Sequence, residues 1–121
     1  MKRGEIWRIE LDPTRGDEMQ KTRPAVIVSD DQVGVLALKI ILPITDWKEH
    51  YAEVGWMVKL EPNQENGLSK ASAVDAFQIR SVSQSRFVRN LGKVSEADFL
   101  AIKHAIAFVF DLEVPTSPAT N

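Results

Sequence analysis

Arg23-Pro24-Ala25-Val26-Ile27-Val28 is the stretch on which the reading of the fold turns. Its unbroken apolar run, rich in β-branched residues, reads as a buried strand. Pro24 fixes its own φ at the strand's first position, where the missing N–H is tolerated, and it confines Arg23 to extended geometry. The Arg23 backbone is therefore expected to be well ordered. It ends a polar loop, Asp12 to Thr22 (DPTRGDEMQKT), that carries Pro13 and Gly16. Upstream of the loop, Glu5 to Leu11 (EIWRIEL) mixes Ile and Trp with charges in rough alternation and reads as a half-buried strand.

Downstream, Asp30-Asp31-Gln32 is a turn, and Val35 to Ile44 (VLALKIILPI) is a second apolar strand ending at Thr45. A polar loop, Asp46 to Glu53, follows. Val54, Trp56, Val58 and Leu60 then alternate with Gly55, Met57 and Lys59, a period-two strand with one buried face. Glu61 to Leu68 is turn-rich, and Ser72 to Arg80 and Val88 to Val94 read as further strands joined by Ser83 to Arg86. The last element changes period. Phe99, Ile102, Ile106, Val109 and Phe110 recur at helical spacing behind Ser95-Glu96-Ala97-Asp98, a capping box with Asp as its acidic member, so Ser95 to Leu112 is predicted to be a helix. Short strands closed by one long helix imply a mainly β fold, a small barrel or curled sheet with a C-terminal helix. Residues 1–112 are expected to form one domain and 113–121, with Pro115 and Pro118, a flexible tail.

Composition narrows the chemistry. The 121 residues hold no cysteine, which excludes a disulfide framework, an iron–sulfur cluster and a thiol nucleophile. With only two histidines, His50 and His104, and no His pair at helical spacing, no metal site is expected. His50 reads as a solvated loop residue and His104 as a rim residue of the helix. No Gly-rich phosphate loop, G-x-S-x-G elbow or H-E-x-x-H occurs, so no cofactor is expected either. No apolar stretch is long enough for a secretory signal or a membrane span, which points to the cytoplasm. A net charge of −2 argues against a protein that coats nucleic acid, so any polyanion must meet a local patch. Arg80, Arg86, Arg89 and Lys93 lie in a stretch without acidic residues and are candidates for one.

Arg3-Gly4-Glu5-Ile6-Trp7, Asp12-Pro13-x-x-Gly16-x-Glu18, Arg23-Pro24-Ala25-Val26-Ile27-Val28, Pro43-Ile44-Thr45, Gly67-Leu68-Ser69-Lys70 and Gln78-Ile79-Arg80 stand in one order and spacing. In that ordered set the chain resembles the MazF/PemK toxin endoribonucleases, and the resemblance covers residues 1 to roughly 110. The resemblance implies a small SH3-like barrel of the MazF/PemK/CcdB kind, a homodimer, and metal-independent, sequence-specific cleavage of single-stranded RNA. It also implies a cognate antitoxin whose flexible, often acidic segment covers the RNA groove. Residue by residue, it places the catalytic arginine at Arg23 and the strand-end threonine at Thr45. The family's substrate loop falls on Asp17, Glu18 and neighbours such as Lys21, and its strand glutamine on Gln78, with Arg80 close by. Phe77 stands where an acidic residue is usual, and the nearest aspartate is Asp75.

These residue types suit an RNA strand cut by its own 2′-hydroxyl, which leaves a 2′,3′-cyclic phosphate and a 5′-hydroxyl. Arg23 stays protonated and offers a fork of donors to phosphate oxygens. Thr45 can add a hydroxyl bond. Glu18 is the candidate general base, and Trp47, in a polar loop beside Thr45, the candidate for base stacking. The competing readings are a barrel toxin that binds a protein target such as gyrase without catalysis, and an inactive relative kept for antitoxin binding.

Overall fold

The computed structural model describes residues 1–11, 22–34 and 37–113. Among these the chain forms strands β1 Glu5–Glu10, β2 Thr22–Ile27, β3 Leu38–Asp46, β4 Met57–Leu60, β5 Ser72–Asp75, β6 Arg80–Ser83 and β7 Phe87–Lys93, and one α-helix, α1 Glu96–Phe110. The strands run antiparallel in the order β4-β5-β3-β2-β1-β7, with β6 beside β3. A mainly β fold with a C-terminal helix is as expected, but the barrel is not closed. β4 and β7 end the path and share no ladder, and α1 packs against β4 and the turn Ala76–Gln78. No helix among the described residues is long and apolar enough to cross a membrane. Residues 114–121 of the expected tail lie outside the described residues.

Two apolar clusters explain the unbroken run in β2. Val26 packs with Ile6, Leu42, Ile44 and Ile102, whereas Ala25 and Ile27 pack with Ile9, Leu11, Ile41 and Val82. Successive strand residues point to opposite faces, so a strand between two clusters needs an apolar side chain at every position. Each fully buried Ile, Leu or Val contributes roughly 1.5–3 kcal/mol before its entropy cost. α1 begins as its capping signal predicts, with Ser95 Oγ accepting the Asp98 N–H at 3.0 Å, and it sends Ile102 and Ala105 into the larger cluster.

Several boundaries differ from the sequence reading, each for a local reason. β3 runs on past Pro43 to Asp46 because β5 pairs there, Ile44 with Val74, Thr45 with Ala73 and Asp46 with Ser72. Val35 and Leu36, expected to open that strand, lie outside the described residues. The loop after β3 contains a 3-10 turn, Glu49–Glu53, and its bonds from Val54 N–H to the Tyr51 carbonyl (3.0 Å) and Met57 N–H to the Val54 carbonyl (3.0 Å) delay β4 to Met57. The expected strand Ser72–Arg80 is cut in two. Asp75 Oδ1 accepts the Phe77 N–H at 3.0 Å, turning Ala76–Gln78 into a 3-10 turn, and the chain rejoins β3 as β6 in a different register.

Between β4 and β5 the turn is built on Asn66, which is 1% exposed. Its Oδ1 accepts the N–H groups of Asn63 (3.1 Å) and Leu68 (3.0 Å), and its Nδ2 donates to the Glu61 carbonyl (2.8 Å). The Asn66 N–H in turn reaches Asn63 Oδ1 at 2.7 Å. A buried amide satisfied in this way fixes one loop shape.

At the start of β1, burial pushes the Glu5 carboxyl upward, but hydrogen bonds from the Trp7 indole and the Lys2 N–H, with the charges of the N-terminus and Lys2, outweigh burial and hold it below the usual glutamate range. A carboxyl lowered in the folded state adds stability above its unfolded value and loses it as pH falls through the folded one. Glu5→Gln is thus expected to melt lower than the native chain at neutral pH. The gap should close on acidification, which thermal melts from about pH 7 to about pH 3 will show.

Candidate active site

β1, β2 and β7 set their polar ends side by side. Arg8 of β1 pairs with Pro24 of β2 on one side and with Arg89 of β7 on the other. β2 and β3 pair through Ala25 and Pro43. Extending that register by two residues brings Arg23 opposite Thr45, just where the ladder has ended. A groove of about 390 Å³ opens at this point, lined by Arg8, Arg23, Pro24, Thr45, Asp46 and Lys70, with Thr22, Ile44, Gly67, Leu68, Ser69, Ser72, Arg89 and Leu91 completing its described wall.

The predicted catalytic pair therefore shares one groove. Arg23 and Thr45 are both exposed, and each sits one or two residues from a buried apolar position of its own strand. Around them the described lining carries the cations Arg8, Lys70 and Arg89 and a single carboxylate, Asp46, so a chain of net charge −2 has a locally positive groove. Fixed positive charge in a partly enclosed site attracts a polyanion more strongly than the same charge on a flat surface. Lys70 Nζ approaches Asp46 Oδ1 at 2.9 Å.

Other predicted residues stand elsewhere. Gln78 Nε2 donates to Asp75 Oδ2 at 3.2 Å and does not line the groove. Arg80 donates to the Leu11 carbonyl at 3.4 Å, and Arg86 donates to the Glu10 carbonyl at 3.2 Å. Of the expected polyanion track, Arg80 and Arg86 thus tether the end of β1, and Arg89 is the one that reaches the groove. Trp47 lies beside Asp46 in sequence, yet its ring meets Tyr51 edge-on at 5.8 Å and carries Lys59 over it at 5.1 Å. Asp17, Glu18 and Lys21 lie outside the described residues.

Residues 2–110 match the family of PemK-like, MazF-like toxins of type II toxin–antitoxin systems. The chain belongs to this family. It is 35% identical over 118 residues to endoribonuclease MazF9 of Mycobacterium tuberculosis, covering 93% of this chain and 98% of that protein. It is 40% identical over 98 residues to endoribonuclease PemK of Escherichia coli, covering 79% and 71% respectively. In fold it is similar to a mycobacterial endoribonuclease solved in complex with its cognate antitoxin, with a TM-score of 0.73, 22% identity, and 95% and 99% of the two chains covered.

Within this PemK/MazF-like toxin, Arg8 and Asp46 join the groove without having been picked out from sequence, beside Arg89 of the expected track and Lys70 of the family motif. Arg8 had one signal, a charged position inside a half-buried strand. Lys70 closes the motif Gly67-Leu68-Ser69-Lys70, whereas Asp46 had no signal, and the β3–β5 ladder brings the two together.

Proposed function

We propose that this toxin is an endoribonuclease that cuts single-stranded RNA in the groove between Arg23 and Thr45, in the cytoplasm and at defined sequences. The observation that carries the reading is the shared groove of Arg23, Thr45 and further cations. In the proposed reaction the 2′-hydroxyl attacks the adjacent phosphorus and the 5′-oxygen leaves, so no metal is required. Arg23 binds the non-bridging oxygens as charge builds on them, and a preorganised donor of this kind lowers the barrier by about 3–4 kcal/mol. Arg8 and Arg89 hold neighbouring phosphates. Asp17, Glu18 and Lys21 belong to the proposed substrate loop, whereas Gln78, Trp47 and Arg80 stand outside the groove lining.

The antitoxin of this toxin is proposed to lay an acidic, flexible segment along the same positive groove. Pairing with a second copy is supported by an apolar surface around α1, where Phe77, Phe108 and Leu112 are 68%, 61% and 63% exposed. Labelled RNA incubated with the purified protein in EDTA is expected to yield discrete fragments with 2′,3′-cyclic phosphate and 5′-hydroxyl ends. Several RNAs left uncut would favour the non-catalytic, target-binding reading instead. Thr45→Ala is expected to slow cleavage about tenfold, the loss of one hydrogen bond of about 1.4 kcal/mol, as read from the rate on a defined oligonucleotide.

A further inference from the structure

Transesterification of RNA needs a group to take the 2′-hydroxyl proton and a group to protonate the departing 5′-oxygen. Among the described residues, the groove holds one acid–base pair. Lys70 Nζ stands 2.9 Å from Asp46 Oδ1, and both residues line the groove together with Arg23 and Thr45. Their backbones are fixed from two directions. Asp46 pairs with Ser72 in the β3–β5 ladder, directly after Thr45, and the buried Ser72 hydroxyl donates to the Lys70 carbonyl at 2.9 Å. The Trp47 N–H reaches the Ala71 carbonyl at 3.1 Å, closing the same corner. Both side chains remain well exposed, at 63% for Asp46 and 65% for Lys70, so a ligand can reach them without opening the core. An exposed pair of this kind adds little to stability.

We propose that Asp46 and Lys70 are the general base and general acid of the cleavage, an assignment that rests on the endoribonuclease reading above. The Asp46 carboxylate takes the 2′-hydroxyl proton while the oxygen's electron pair forms the new bond to phosphorus. The bond from phosphorus to the 5′-oxygen breaks, its electron pair stays on that oxygen, and the Lys70 ammonium supplies the proton. The products are a 2′,3′-cyclic phosphate and a 5′-hydroxyl, with a carboxylic acid left beside a neutral amine. One proton passing from Asp46 to Lys70 across their contact restores the ion pair, so the cycle closes without a co-reactant. Arg23 keeps its proton throughout and binds charge only. Glu18, a candidate from sequence for the base, then has a substrate-contacting role.

Two RNAs of one sequence test the assignment, one natural and one with sulfur replacing the 5′-bridging oxygen at the mapped cut. A thiolate leaves without being protonated. Lys70→Met is expected to cut the natural RNA about 10²-fold more slowly than the native chain and the sulfur RNA within about threefold of it. Asp46→Asn is expected to be slowed about 10²-fold on both, with far-UV circular dichroism unchanged in each variant. Lys70→Met equally slow on both RNAs, or cutting the natural RNA at the native rate, would overturn the acid assignment, and Asp46→Asn cutting at the native rate would overturn the base assignment. Loss in Glu18→Gln with none in Asp46→Asn would return the base to Glu18. All of those outcomes leave the nuclease reading standing, whereas a native chain that cuts neither RNA removes that reading and this one with it.

Discussion

Arg23→Ala is expected to lower the rate of RNA cleavage on the order of 10³-fold while leaving far-UV circular dichroism intact. That factor corresponds to about 4 kcal/mol of lost transition-state binding. Arg23 is exposed and belongs to neither apolar cluster, so truncating it empties no cavity in the core. Its strand is held independently by the pairing of Ala25, Val26 and Ile27 with β3. Any large effect therefore arises in the groove, where the attacked phosphate gathers negative charge. Arg23→Lys separates charge from shape, because an ammonium supplies the charge without the guanidinium fork. Recovery of less than about a tenth of the native rate by lysine would indicate that paired donors are needed. Native-rate cutting by Arg23→Ala would take the residue out of the site altogether.

Much of this arrangement is legible in the sequence because it depends on local rules. The run Ala25-Val26-Ile27 announces a strand covered on both faces, and the two clusters that cover it are seen. Ser95 and the Phe99, Ile102, Ile106 stripe give the helix within two residues of its C-terminal end. What stayed hidden depends on pairing between distant segments. The break at Asp75 follows from a carboxylate bonding its own backbone two residues on, where an apolar, alternating stretch gave no warning. Trp47 has the composition of a stacking residue, yet Tyr51 and Lys59 occupy its ring. Asp46 is an ordinary loop charge, and its contact with Lys70 stays invisible, until β3 and β5 are placed in register.

Gly67→Ala is expected to cost about 3 kcal/mol of stability and to slow cleavage as well, the second large effect. Gly67 adopts φ +69, a left-handed conformation that side chains disfavour by roughly 1–2 kcal/mol. A Cβ there would also run into the carbonyl of Leu91 in β7, which is backbone and cannot swing aside. The turn has little freedom to retreat, since Asn66 holds it through Asn63, Leu68 and Glu61, and the Lys93 N–H binds the Glu65 carbonyl at 2.9 Å. Either β7 or the turn must move. Both line the groove, through Leu91 and Arg89 on one side and Gly67 to Lys70 on the other. Gly34→Ala provides the comparison, because Gly34 has φ +88 but nothing among the described residues within 4 Å of its would-be Cβ. It should lose only the conformational part, about 1–2 kcal/mol, with cleavage unchanged. A drop in melting temperature on the order of 10 °C for Gly67→Ala, against about one to two thirds of that for Gly34→Ala, is the expected result. Equal losses in the two variants would mean that the close approach of the turn to β7 does not hold the groove wall in place.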